Sequence, residues 1–113
     1  MSEEQSKAIK KLADRIVKGY DMIHQKNYQE AKELLEPLVP LFHQEDKPNV
    51  TLLCYVSIAQ IGTKDIDAFL TTYEELKEQT PKTKKEEALI NRVDEMFHEL
   101  METIKISQDD QDI

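Results

Sequence analysis

The sequence predicts an all-α chain of about five helices, arranged as two antiparallel hairpins and a C-terminal capping helix. Three observations carry that prediction. Apolar residues recur every three to four positions along most of the chain. No stretch alternates apolar and polar residues over the length of a strand. Only 2 of the 113 residues are glycine, too few for the turns of a many-stranded fold. With 39% apolar residues, a chain of this length closes one core and not comfortably two.

The first helix is expected to begin at Ser2. Ser2 and Gln5 stand at capping-box spacing, and Glu3 and Glu4 lie at the positive helix end. Ile9, Leu12, Ala13, Ile16, Val17, Tyr20 and Ile23 then share one face, up to about His24. The second helix starts near Asn27 or Tyr28 and buries Tyr28, Ala31, Leu34, Leu35, Leu38 and Phe42. Pro37 removes a backbone donor inside that stripe. The apolar period continues across it, so a kink is predicted there, and the helix ends by His43. Gln44–Lys47 is a polar connector.

The third helix is predicted to open at Pro48, run to Ile61 and close on Gly62 as a left-handed cap. It differs from the others, because Leu52, Leu53, Tyr55, Val56, Ile58 and Ile61 leave no polar side. A helix that is apolar all round is buried all round. This one is therefore expected at the centre. A fourth helix, from Thr63 or Asp65, carries Ile66, Phe69, Leu70, Tyr73 and Leu76 and ends before Pro81. The last helix follows a second capping box, Thr83 with Glu86. Its wide apolar face comprises Leu89, Val93, Met96, Phe97, Leu100, Met101 and Ile104. These helices form one domain over residues 1–106. Residues 107–113 lose the apolar period and read as a disordered acidic tail.

The net charge of −8 is unevenly placed. Residues 1–47 hold 8 Lys or Arg against 9 Asp or Glu, and residues 48–113 hold 7 against 14. An acidic second half disfavours nucleic acid and anionic lipid, and favours a basic partner. Cys54 is the single cysteine, so no internal disulfide forms. Met1–Lys11 is charged throughout and shows no signal peptide. The longest apolar run, Leu52–Val56, is too short to span a bilayer. These features predict a cytoplasmic protein.

No catalytic, cofactor-binding or metal-ligating residue stands out. His24, His43 and His98 are scattered without a second ligand at metal spacing. Cys54 lies in the most apolar helix, where a thiol is inert. Asp109, Asp110 and Asp112 lack the glycine and closing Glu of a calcium loop.

Gly19, Tyr28, Ala31 and Leu35 supply a small residue, an aromatic, an alanine and a large apolar residue. Over residues 12–78 that pattern resembles a tetratricopeptide repeat (TPR). Small residues let two helix axes approach, and large ones fill the gap between hairpins. Ala68 would be the second copy of Ala31, 37 residues on, against a usual period of about 34. The match is partial. Lys18 stands for the favoured Leu, Lys26 for the turn Gly and Tyr55 for the second small residue, and Gly62 lies one residue too far from Ala68. A plain up-and-down bundle is the competing architecture.

The resemblance implies a non-enzymatic adaptor that binds a partner protein through an apolar groove or face. In the family's register Ile16, Tyr20, Ile23 and His24 would line the groove; otherwise they are core. Family members that hold the acidic C-termini of heat-shock chaperones line this groove with Lys, Arg and Asn. Here those places are largely apolar, which points away from that ligand and towards an amphipathic helix. Met96, Phe97 and Met101 either cap the core or meet a partner. Two other readings stay open. One is a dedicated chaperone or antidote-like protein masking one apolar helix; the other is a homodimeric helical bundle with a regulatory role.

Overall fold

Helix α1 (Glu3–His24) begins where the capping box places it. Ser2 Oγ accepts the Gln5 N–H at 3.2 Å, and Gln5 Oε1 accepts the Ser2 N–H at 3.3 Å. A computed structural model of the chain describes residues 2–111, with side chains through Ile106. Helix α2 (Tyr28–Leu35) passes into a 3-10 turn at Glu36–Leu38 and then into the short helix α3 (Val39–Phe42). Pro37 and Pro40 each begin a new piece of this broken helix, because neither can donate to the preceding turn. The kink therefore falls at the proline, as the sequence indicates.

Helix α4 (Val50–Gly62) starts two residues beyond Pro48. Asn49 caps it, its side-chain oxygen accepting the Leu52 N–H at 3.1 Å. A side chain that satisfies an orphan donor outweighs a proline that merely tolerates the first position. Helix α5 (Ile66–Lys77) is capped in the same way by Asp65, which accepts the Ala68 N–H. Helix α6 (Lys84–Gln111) follows Thr83, whose hydroxyl accepts the Glu86 N–H at 3.1 Å. It continues past Ser107, where the sequence reading begins a disordered tail. Extending a helix adds a hydrogen bond for each residue fixed, and no Gly or Pro interrupts residues 107–111. The remainder of that tail, residues 112 and 113, lies outside the described residues.

Gly62 is not a left-handed cap. No described glycine has a positive φ, and Lys64 takes that conformation at φ 63°. Gly62 is there for space instead: a Cβ on it would overlap the Tyr28 ring. Lys26, also at φ 63°, plays the part of Lys64 at the end of α1. In the first turn Lys26 N–H reaches the Ile23 carbonyl at 3.0 Å and Asn27 N–H the Met22 carbonyl at 2.8 Å. In the second, Lys64 N–H reaches Ile61 at 3.1 Å and Asp65 N–H reaches Gln60 at 2.9 Å. Both ends are the same crossed pair of bonds around one left-handed residue.

The two turns thus repeat at a spacing of 38 residues, from Lys26 to Lys64. Alignment on them corrects the pairing of Ala31 with Ala68. Ala31 corresponds to Phe69, and both are fully buried. Gly19 corresponds to Ser57, not Tyr55, so each hairpin carries a small buried residue there. The Gly19 position is tight: a Cβ would stand 2.5 Å from Cγ and Cδ2 of Leu35.

Helix α4 is the centre, with every residue from Leu52 to Gln60 buried. Three-residue turns make α1–α2 and α4–α5 antiparallel hairpins. Tyr28, at the start of α2, meets Gly62 at the end of α4, so these helices also run antiparallel and α1 runs parallel to α4. Helix α6 packs on α4, burying Val93 completely. The molecule is long, 65 × 28 × 21 Å. Ile9 and Val17 stay exposed, at 46% and 59%, although the helical period puts them on the apolar face. For Ile9 the cause is length: at about 1.5 Å per residue the 22 residues of α1 far outreach the 8 of α2, and the chain bends away after Leu35. Val17 lies alongside α2, next to the half-buried Ile16 and near the buried Gly19, but at the edge of the stripe turned away from the core.

Candidate functional site

The residues singled out in the sequence fall into two places, and only some of them are free to meet a ligand. On α1, Ile23 is buried at 4% and belongs to the core. Ile16 and Tyr20 are half-buried against it. The Tyr20 ring stacks on Tyr55 at 4.1 Å, and burial, chiefly, pushes the Tyr20 hydroxyl well above its ordinary range. His24 is exposed, its Nε2 3.2 Å from the Tyr55 hydroxyl. Tyr20 and His24 thus meet α4 at Tyr55. On α6, Phe97 stacks on Tyr73 at 4.3 Å. The Tyr73 hydroxyl donates to Asp94 at 2.5 Å; burial first, and this carboxylate second, raise its proton affinity. Met101 is half-buried. Met96 borders a small groove of about 300 Å³ with Tyr28, Ile58, Ile61 and Leu100.

Cys54 is fully buried, and burial, with Glu86 and Asp94 adding to it, pushes its thiol up to about 12. The thiol stays protonated at neutral pH. Among the described residues, no three His, Cys, Asp or Glu side chains converge as metal ligands would. Nor is any described helix long and apolar enough to cross a membrane.

The larger concavity lies elsewhere, in a groove of about 600 Å³ between the broken helix and α5. Helix α4 forms its floor with Leu53, Val56 and Gln60. Val39, Pro40 and His43 make one wall, and Thr72, Glu75 and Glu78 are on the other. The groove lies where Pro37 and Pro40 turn the chain, so α3 and α5 stand as walls above an α4 floor that is itself almost closed off from solvent. Its lining includes four carboxylates, Glu36, Glu74, Glu75 and Glu78, and no Lys or Arg.

Two of these carboxylates have partners. Lys32 Nζ lies 3.7 Å from Glu36 and 2.7 Å from Asp65, tying α2 to the start of α5. The Asp65 hydrogen bond is the main reason that Lys32 holds its proton more tightly, and the Lys32 hydrogen bond likewise lowers Asp65. His43 Nε2 lies 3.0 Å from Glu75, while its Nδ1 accepts the Asn49 N–H at 2.9 Å. A backbone N–H can only donate, so the bond pattern assigns the ring proton to Nε2 and the imidazole is neutral. Glu75 therefore keeps an uncompensated charge, as do the exposed Glu74 and Glu78.

Gln60 is the unusual member of the floor. It is 4% exposed, its Nε2 donates to Glu36 at 3.2 Å, and its Oε1 has no hydrogen-bond partner. None of this groove was singled out in the sequence. The signal was present in Gln60 itself, an amide inside the helix read as apolar on every side. No family model matches the chain, and no curated protein and no solved structure matches it either.

Proposed function

We propose that this protein is a non-enzymatic, tetratricopeptide-like adaptor that holds a segment of a partner protein. The observation that carries this reading is the 600 Å³ groove, where Val39 and Pro40 present accessible apolar surface beside carboxylates, in a chain whose helical hairpins repeat at a fixed spacing. Apolar grooves with a few polar groups bind peptides because the floor supplies affinity and the polar groups supply register. The repeated turn, the paired Gly19 and Ser57, and the all-round burial of α4 support the kinship with helical-repeat proteins. The side chains described above offer no pairing of nucleophile with base, which favours binding over catalysis.

Site-specific photo-crosslinking in the native cell tests this. A photoreactive residue is placed at Thr72 in the large groove or at Met96 in the small one. The expected result is a discrete adduct whose identified partner, once purified, binds the unmodified chain at micromolar concentration. Adducts made only with a second copy of this chain would favour the homodimeric reading. No adduct from either position contradicts the adaptor.

A further inference from the structure

We infer that the groove between α3 and α5 seats a short segment carrying arginine, with its aliphatic neighbours against the accessible Val39 and Pro40 and its guanidinium among Glu36, Glu74, Glu78 and Gln60. This rests on the reading of the chain as a protein-binding module and names the ligand and the place. Two independent observations point to it. The first is charge: four carboxylates line the groove without Lys or Arg, and the hydrogen bonds of His43 leave it neutral beside Glu75. Lys32 approaches only Glu36, at 3.7 Å, and its closer partner is Asp65. The second is Gln60, a side chain more than nine-tenths buried whose carbonyl lacks a donor.

Arginine answers both. Its planar guanidinium presents five N–H donors in a fixed fork, is only weakly hydrated, and accepts nothing. Five donors suffice for Glu36 and for the partnerless Gln60 Oε1 together. Lysine offers a compact, strongly hydrated point charge, less suited to a half-apolar groove. An acidic segment would be repelled.

The test titrates the isotope-labelled full chain with two peptides, acetyl-Val-Leu-Arg-Leu-Val-amide and the same peptide with neutral citrulline for arginine. The arginine peptide should move amide resonances in 36–43 and 71–78 and bind about tenfold more tightly than the citrulline peptide. Glu74→Gln with Glu78→Gln, both at exposed positions, should remove most of that difference and leave citrulline binding unchanged. Gln60→Leu should weaken arginine binding without lowering the melting temperature, which a purely structural Gln60 would not do. Equal affinity of the two peptides, or shifts confined to α1 or α6, overturns the inference. A chain that selects peptides elsewhere on its surface would still be an adaptor; one that selects none would fail both readings.

Discussion

Replacing Gly19 by alanine sets two effects of opposite sign against each other. Alanine is the better helix former, and in the middle of α1 it gains about 0.5–1 kcal/mol over glycine. The new Cβ, however, would stand 2.5 Å from Cγ and Cδ2 of Leu35. Carbon atoms in contact prefer about 3.5–4.0 Å, so roughly 1 Å must be found. Leu35 is fully buried and has no open space to swing into, so α1 and α2 must part. Overpacking of this kind costs about 1–3 kcal/mol. The net expectation is destabilisation by about 1–2 kcal/mol. Urea unfolding followed by circular dichroism reads it. With a slope of about 1.5 kcal/mol/M, the midpoint should fall by about 1 M. Leu35→Ala removes the obstructing atoms, so the glycine substitution should become neutral or favourable in that background. The coupling between the two sites should reach about 1–2 kcal/mol. A stabilised Gly19→Ala, or additive effects in the double variant, would refute the close-approach argument.

Other expectations follow from the same geometry. Gln60→Leu removes the orphaned carbonyl and leaves Glu36 part-exposed to water, so it should stabilise the fold by about 1 kcal/mol in the same urea assay. Asn49→Ala deletes the α4 cap and should cost about 1 kcal/mol, whereas Pro48→Ala should change stability by much less. Cys54 should resist a thiol reagent at pH 8 in the native chain and react fully in urea. Its folded proton affinity is raised from 9.0 to about 12, so its contribution is complete below pH 9 and is lost as pH rises towards 12. A stability-against-pH profile should therefore fall across that window, and Cys54→Ala should flatten part of the slope.

Local signals in the sequence were legible wherever one short stretch decides the outcome. Ser2 with Gln5 and Thr83 with Glu86 mark helix starts because both partners lie within one turn. The kink at Pro37 follows from the residue alone. Burial of α4 was readable because an apolar surface on every side leaves no alternative. The failures involve distant partners. Gly62 looked like a cap, but its role depends on Tyr28, 34 positions away. Ile9 lies on the right face, yet periodicity does not say whether a neighbour reaches that far. The spacing of the two hairpins became visible only through the hydrogen bonds at Lys26 and Lys64, because lysine in a left-handed turn carries no sequence signature. The large groove was missed for a similar reason. Glu36, His43 and Glu75 come from separate segments, and only the bends at Pro37 and Pro40 bring them around Gln60.

The central claim is that this chain binds peptide segments of other proteins, and selection from a random peptide library tests it most directly. The purified full chain is offered the library at low salt, and bound sequences are counted over successive rounds. The account predicts enrichment of a short motif pairing aliphatic residues with arginine, competed by the free peptide and lost on Glu74→Gln with Glu78→Gln. Absence of any enriched motif, from a chain shown by circular dichroism to be folded, would contradict it.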